Sequence, residues 1–139
     1  MSEKIIIKEL LVLAKKAIRK EEVPVSAIVV HNNKVIAKQY NKRENKKDVT
    51  AHAEVLAIRQ ASRRLKRWNL SDCDLYVTLQ PCSMCTAIVH QSRIRNVYYL
   101  TEKLDYKHEY SKTAFRKLDF RNQEETYQQL LSSFFQNKR

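Results

Sequence analysis

Two periodicities alternate along the chain. Ile6, Leu10, Leu13, Ala17 and Ile18 recur every few positions, which predicts an amphipathic helix over residues 3–20. Pro24 would end it. Residues 25–31 and 34–40 are rich in β-formers and meet at Asn32-Asn33, the pattern of a hairpin. Residues 41–49 (NKRENKKDV) are polar and basic, hence a loop, and Thr50 is a candidate N-cap for a helix over 51–65. Residues 74–79 (DLYVTL) read as a strand. Pro81 opens a helix over 82–91, and residues 96–100 (NVYYL) form a further strand. Residues 101–116 are irregular and polar, a short extended piece falls near 117–120, and a last helix covers 123–135. Strands interleaved with helices imply an α/β domain with helices on both faces of one sheet, and the hairpin makes that sheet mixed.

Composition narrows the picture. With 139 residues the chain is expected to form a single domain over 1–139, large enough for a core without staples. No apolar run approaches the ~20 residues of a membrane span. Lysines interrupt the apolar N-terminal residues beside Glu3, so a signal peptide is not expected, and the expected place is the cytoplasm. Lys and Arg number 27 against 15 Asp and Glu, a net charge of +12 that favours a polyanion such as RNA or DNA. No basic amphipathic segment points to a membrane surface instead. There is no glycine, so left-handed turns need other residues, and Asn32, Asn33 and Asn41 are the candidates.

The three cysteines cannot all pair, which turns attention to metal chemistry. His52-Ala53-Glu54 stands at one expected helix start and Pro81-Cys82-Ser83-Met84-Cys85 at the other. Residues three apart on a helix are neighbours, so Cys82 and Cys85 can share an ion, with His52 as a third ligand. Three protein ligands leave a fourth tetrahedral position for water, the pattern of catalytic rather than structural zinc. Glu54 lies about 200° around a regular helix from His52, near the metal but unbound, as a general acid/base requires. Each half is commonplace alone. Their combination, each at a helix start and the second after a strand, is specific.

H-x-E followed by P-C-x-x-C is the zinc deaminase signature, and the chain resembles the bacterial tRNA adenosine deaminases along nearly its whole length. Beyond the signature, the similar stretches are Glu22-Val23-Pro24-Val25, Asn41, residues 50–54, 75–79 and 90–94, and LLSSFF over 130–135. The resemblance implies a three-layer α/β/α cytidine-deaminase-like fold with a mixed central sheet. It also implies zinc as cofactor, wobble-position adenosine in a tRNA anticodon stem-loop as substrate, and a homodimer. By the same resemblance His52, Cys82 and Cys85 are zinc ligands and Glu54 is the proton shuttle. Asn41 contacts the target nucleoside, the Ala53 backbone lies against the flipped base, and Phe135 and Arg139 touch the anticodon loop. The chain departs from the family pattern at Ser26, at Gln80 and at Thr86-Ala87.

Other residues read more plainly. Cys73 is expected as a small buried hydrophobe, and His31 and His108 as surface histidines. His90 could touch the site or a partner subunit. The run Arg59, Arg63, Arg64, Lys66, Arg67 fits a solvated face and RNA contact equally, whereas the 42–47 loop, leading straight into His52, favours RNA. Tyr76, Tyr98, Tyr99 and Trp68 read as core or interface. Three function classes stay open: a deaminase of a base within RNA, a deaminase of a free base or nucleoside (cytosine, guanine, cytidine), and a catalytically silent zinc-stabilised RNA-binding homologue. The charge disfavours the second and Glu54 the third.

Overall fold

The computed structural model describes residues 2–103 and 113–137. Its element order is α1 (Glu3–Arg19), β1 (Ser26–His31), β2 (Lys34–Tyr40), α2 (Arg43–Lys46), α3 (Ala53–Leu65), β3 (Cys73–Leu79), α4 (Ser83–Ser92), β4 (Asn96–Thr101), β5 (Ala114–Lys117) and α5 (Arg121–Asn137). The strands form one sheet in the order β2-β1-β3-β4-β5. β1 runs antiparallel to β2 and β3, while β3, β4 and β5 are parallel. The sheet is therefore mixed.

Strand alternation divides the core between the two faces. Ala27, Val29, Leu75, Val77 and Val97 pack with Ala57, Ile58 and Ala61 of α3 and Val89 of α4. Ile28, Tyr76 and Leu100 point the other way, onto Ile6, Ile7, Leu10 and Leu13 of α1 and Tyr127 of α5. The result is the three-layer α/β/α arrangement. A bulge opposite Val29/Val30 skips Ile36 in the β1–β2 register, which lets the consecutive Ile36 and Ala37 both enter the first cluster.

Several boundaries differ from the sequence reading. The third helix begins at Ala53 rather than 51, because Thr50 does not cap it. The Thr50 backbone N–H and hydroxyl instead donate to Asp48 Oδ1, at 2.9 and 2.7 Å, which closes a turn. The basic loop contains the single turn α2. The fifth strand starts at Ala114, ahead of the extended piece expected near 117–120. Positive φ falls at Asn32 and Asn33 as expected but not at Asn41. Among the described residues the other left-handed positions are Glu21, Lys47, Lys66 and Arg93, which follow α1, α2, α3 and α4 where glycine commonly ends a helix. His108 lies outside the described residues.

Candidate active site

The chemistry gathers where β3 delivers the chain into α4 and the basic loop delivers it into α3. At this end of a parallel strand pair, open α/β sheets form their crevices. His52 and Cys82 take equivalent places there. Each is an N-cap with extended backbone (φ −72° and −69°), and neither side chain caps its helix. The ring and the sulfur are thus left for other work, and the unpaired N–H groups of two helix starts give the crevice a positive potential. Since His52 and Cys82 precede their helices, in-helix spacing does not govern them. Cys82 and Cys85 meet as N-cap and third helical residue, and His52 and Glu54 separate across the helix boundary.

His52 Nδ1 lies 3.7 Å from Cys82 Sγ and 3.5 Å from Cys85 Sγ. All three atoms fall within 4.8 Å of one another. Tetrahedral zinc, with bonds of about 2.0–2.3 Å, sets neighbouring ligand atoms about 3.5–3.8 Å apart, so the spacing fits that ion. The donor set, one imidazole and two sulfurs, is also zinc chemistry. The Cys85 thiol hydrogen bond, the backbone N–H groups of Cys85 and Met84 and the His52 charge outweigh burial and bring Cys82 down to about 4. The same hydrogen bond, with burial and the nearby Glu54 charge, pushes the Cys85 thiol up. Both sulfurs must be thiolates to bind a metal, so a bound cation would displace any remaining thiol proton.

Glu54 is buried, and its Oε1 has no hydrogen-bond partner among the described residues. Burial pushes its carboxyl above the usual range and the Cys82 charge adds to that, while its own N–H, His52 and Cys85 pull the other way. It is not part of the three-atom ligand group. A carboxyl beside a metal position, buried and with an oxygen unengaged, is equipped to accept and return protons.

His52, Glu54 and Cys82 line a pocket of ≈ 140 Å³ whose apolar walls are Val23, Val25, Ala53 and Leu79 and whose polar walls include Asn41, Arg43, Gln80 and Lys103. Asn41 is held by its N–H to Val25 O (3.0 Å), and its Oδ1 accepts from Arg43 N (3.3 Å). Arg43 sits in a clasp. The wholly buried Glu22 accepts from the backbone N–H of Glu44 (3.0 Å) and of Asn45 (2.7 Å) and from the Asn45 side chain. Burial alone would raise Glu22, but those donors and Arg43 outweigh it and hold the carboxyl below its ordinary value. Phe135 is exposed in an adjoining groove with Lys20, Glu21, Val23, Arg43, Glu44, Asn45 and Phe134, outside the pocket itself. Arg139 lies outside the described residues.

Sequence reasoning missed Lys103 and the part played by Gln80. The parallel register sets Leu79 opposite Thr101, after which Gln80 N–H donates to Thr101 O (2.8 Å) and Lys103 N–H to Gln80 Oε1 (2.9 Å). Nothing local in the sequence marks Lys103, because only that strand pairing brings it to the pocket. The remaining candidates fall away from the site. Cys73 is fully buried, His31 pairs with Asp72 at 2.8 Å, and His90 meets Phe115 edge-on at 5.8 Å. Tyr76 stacks on Tyr98 at 4.7 Å, and Trp68 is exposed.

The MafB19-like deaminase family profile matches residues 1–139. The chain belongs to this family. It is 48% identical over 106 residues to the tRNA-specific adenosine deaminase of Aquifex aeolicus, covering 76% of this chain and 69% of that protein. It is 46% identical over 97 residues to the chloroplastic tRNA(adenine(34)) deaminase of Arabidopsis thaliana, covering 70% of this chain but 7% of that longer protein. A solved structure from a study of A-to-I editing by tRNA:A34 deaminases at the wobble position of transfer RNA superposes with a TM-score of 0.75 at 34% identity, over 84% of this chain and 100% of the other. The three-layer architecture matches the fold of that solved structure. No helix of the described residues is long and apolar enough to cross a membrane.

Proposed function

We propose that this chain, as a single domain, is a zinc-dependent hydrolytic deaminase that converts adenosine to inosine at the wobble position of tRNA anticodons, acting as a homodimer in the cytoplasm. The observation that carries the reading is the buried Glu54 carboxyl, with an oxygen unpartnered among the described residues, beside three ligand atoms at zinc spacing. A structural metal site gives no reason for that carboxyl. The names of the relatives, the wobble-position structural neighbour and the +12 charge support the choice of tRNA over a small neutral base. The homodimer rests on the family resemblance, and the cytoplasm on the expectation drawn from the sequence above.

His52, Cys82 and Cys85 hold the zinc, which when bound supplies the Lewis acidity that makes water a nucleophile near neutral pH. Glu54 takes a proton from the attacking water and passes it to adenine N1, then takes the second proton from the oxygen now bonded to C6 and delivers it to the amino group, which departs as ammonia. Water and adenosine are consumed, and inosine and ammonia are produced. Asn41 holds the nucleoside, and the Ala53 backbone lies against the base. Phe135 and Arg139 touch the anticodon loop. Extruding the base costs a few kcal/mol, less from a loop than from a duplex, and contacts to the strand offset it. The deciding experiment incubates the zinc-loaded chain with an anticodon stem-loop carrying adenosine at the wobble position and reads inosine. Turnover far above that of free adenosine, cytidine, cytosine or guanine is expected. Equal or better turnover of a free base or nucleoside would overturn the reading.

A further inference from the structure

Beside the catalytic pocket, on the flank of α3, lies a separate groove of ≈ 320 Å³ lined by Gln39, Lys42, Lys46, Leu56, Arg59, Gln60 and Arg63. Four of its seven lining residues are cations and none is an acid. Among the described residues, no ion pair engages Lys42, Lys46, Arg59 or Arg63. The neighbouring acid, Asp48, feels the charges of Arg59 and Lys46, but its hydrogen bonds go to Thr50.

The polar side chains between these cations are oriented by one another. Lys42 Nζ donates to Gln39 Oε1 (3.0 Å) and sits 4.9 Å from the centre of the Tyr40 ring. Gln39 Nε2 donates to Gln60 Oε1 (2.7 Å), which also accepts from Lys38 N (3.2 Å). With its oxygen doubly engaged, Gln60 can offer only Nε2–H donors to a ligand. The groove therefore presents positive charge and N–H donors, the complement of a phosphate oxygen. Burial, and then the like charge of Lys46, hold Lys42 below its ordinary value. Asn41 and Arg43 of the catalytic pocket flank Lys42 in the chain, so the two sites are contiguous.

We propose that this groove binds the phosphodiester backbone of the RNA strand whose target nucleoside occupies the catalytic pocket, an inference that rests on the function proposed above. It assigns to Arg59 and Arg63 contacts that a solvated helix face would lack, and separates them from Arg64 and Lys66, which do not line the groove.

The test measures the affinity of the zinc-loaded full chain for a fluorescent single-stranded RNA without adenosine, across a salt series. Wild type is compared with the double variant Arg59→Gln/Arg63→Gln, with Lys46→Gln, and with Arg121→Gln as a distant control. Each neutralised contact should remove about 0.7 from the slope of log affinity against log salt, so about 1.4 for the double variant and about 0.7 for Lys46→Gln. Affinity at low salt should fall at least tenfold for the double variant and stay within twofold for the control. Zinc content and thermal melting certify the fold, and the single variant at an exposed loop position stands if the double one does not fold. Unchanged slope and affinity in both groove variants would overturn the proposal. So would a tripolyphosphate titration in which the double variant loses the free anion but keeps RNA. Inosine formation is read separately: a chain that binds through the groove without deaminating keeps this inference and loses the functional reading.

Discussion

Two cysteines bracket β3, and they have opposite character. Cys73 begins the strand, fully buried, and burial with the neighbouring Asp72 pushes its thiol up to about 11. Cys82 follows the strand's other end, and a second thiol, two helix-start N–H groups and His52 bring it down to about 4. The difference extends to whole ends of the layer. At the Cys73 end the charges are paired: Asp72 with Arg67 and His31, Asp74 with Arg95. At the Cys82 end, among the described residues, a buried Glu54 oxygen has no hydrogen-bond partner and the four cations of the groove are in no ion pair. One end satisfies itself, and the other is satisfied only by what it binds.

The strongest test of that contrast removes the unpartnered carboxyl. Glu54→Gln keeps the shape and should keep zinc, but turnover should fall by roughly 10²–10⁴-fold, toward the upper end because one residue handles several proton transfers. Inosine formation and zinc content are measured on the same preparation. A variant keeping a tenth of the wild-type rate would show that the proton carrier lies elsewhere.

The cysteines can then be exchanged one at a time. Cys82→Ser should drop the zinc content from one per chain towards none and lower the melting temperature, because metal binding adds to folding free energy. Cys73→Ala should keep the zinc and cost about 1–2 kcal/mol in denaturant unfolding, the loss of a small buried side chain. Loss of zinc in Cys73→Ala would break the contrast between the two ends.

The active end was the more legible in sequence because its key residues are close in the chain and chemically unusual. His52, Glu54, Cys82 and Cys85 needed only two short motifs, and the core faces needed only alternation. The clasp was not legible: Glu22 reaches Glu44 and Asn45 across 22 and 23 positions, and Lys103 reaches the pocket through strand pairing. The start of α3 was misplaced because Thr50, a good cap by type, bonds to Asp48 instead. Left-handed residues at Glu21, Lys47, Lys66 and Arg93 were invisible for another reason, since none is a residue type that favours that conformation.

Lys66 turns that last point into a test of the distal end. It is exposed, ends α3 with φ 57°, and donates its N–H to Ser62 O. A non-glycine residue costs about 1–2 kcal/mol in this conformation, part of which glycine's larger unfolded-state entropy offsets. Lys66→Gly should therefore stabilise the fold by about 0.5–1 kcal/mol in denaturant unfolding, with zinc content unchanged. A destabilised variant would mean that the Lys66 side chain has a structural role of its own.

The smallest expected effect concerns acid, and its sign follows from Asp72. Hydrogen bonding to Arg67, opposed by burial and helped by His31, brings its carboxyl to about 2. An unfolded aspartate titrates near ~3.9. The native state therefore binds the proton more weakly than the unfolded chain, and the stabilisation is present above about pH 4 and lost as pH falls towards 2. The Asp72 side chain is 48% exposed, so solvent screening reduces the contribution to about 0.5–1 kcal/mol. Asp72→Asn should unfold more readily than wild type at pH 6, and the gap should close between pH 4 and 2. Because the distal cluster touches no ligand atom, zinc content at pH 7 should not change. A gap of the same size at pH 2 would assign Asp72 a packing role instead of a charge-paired one.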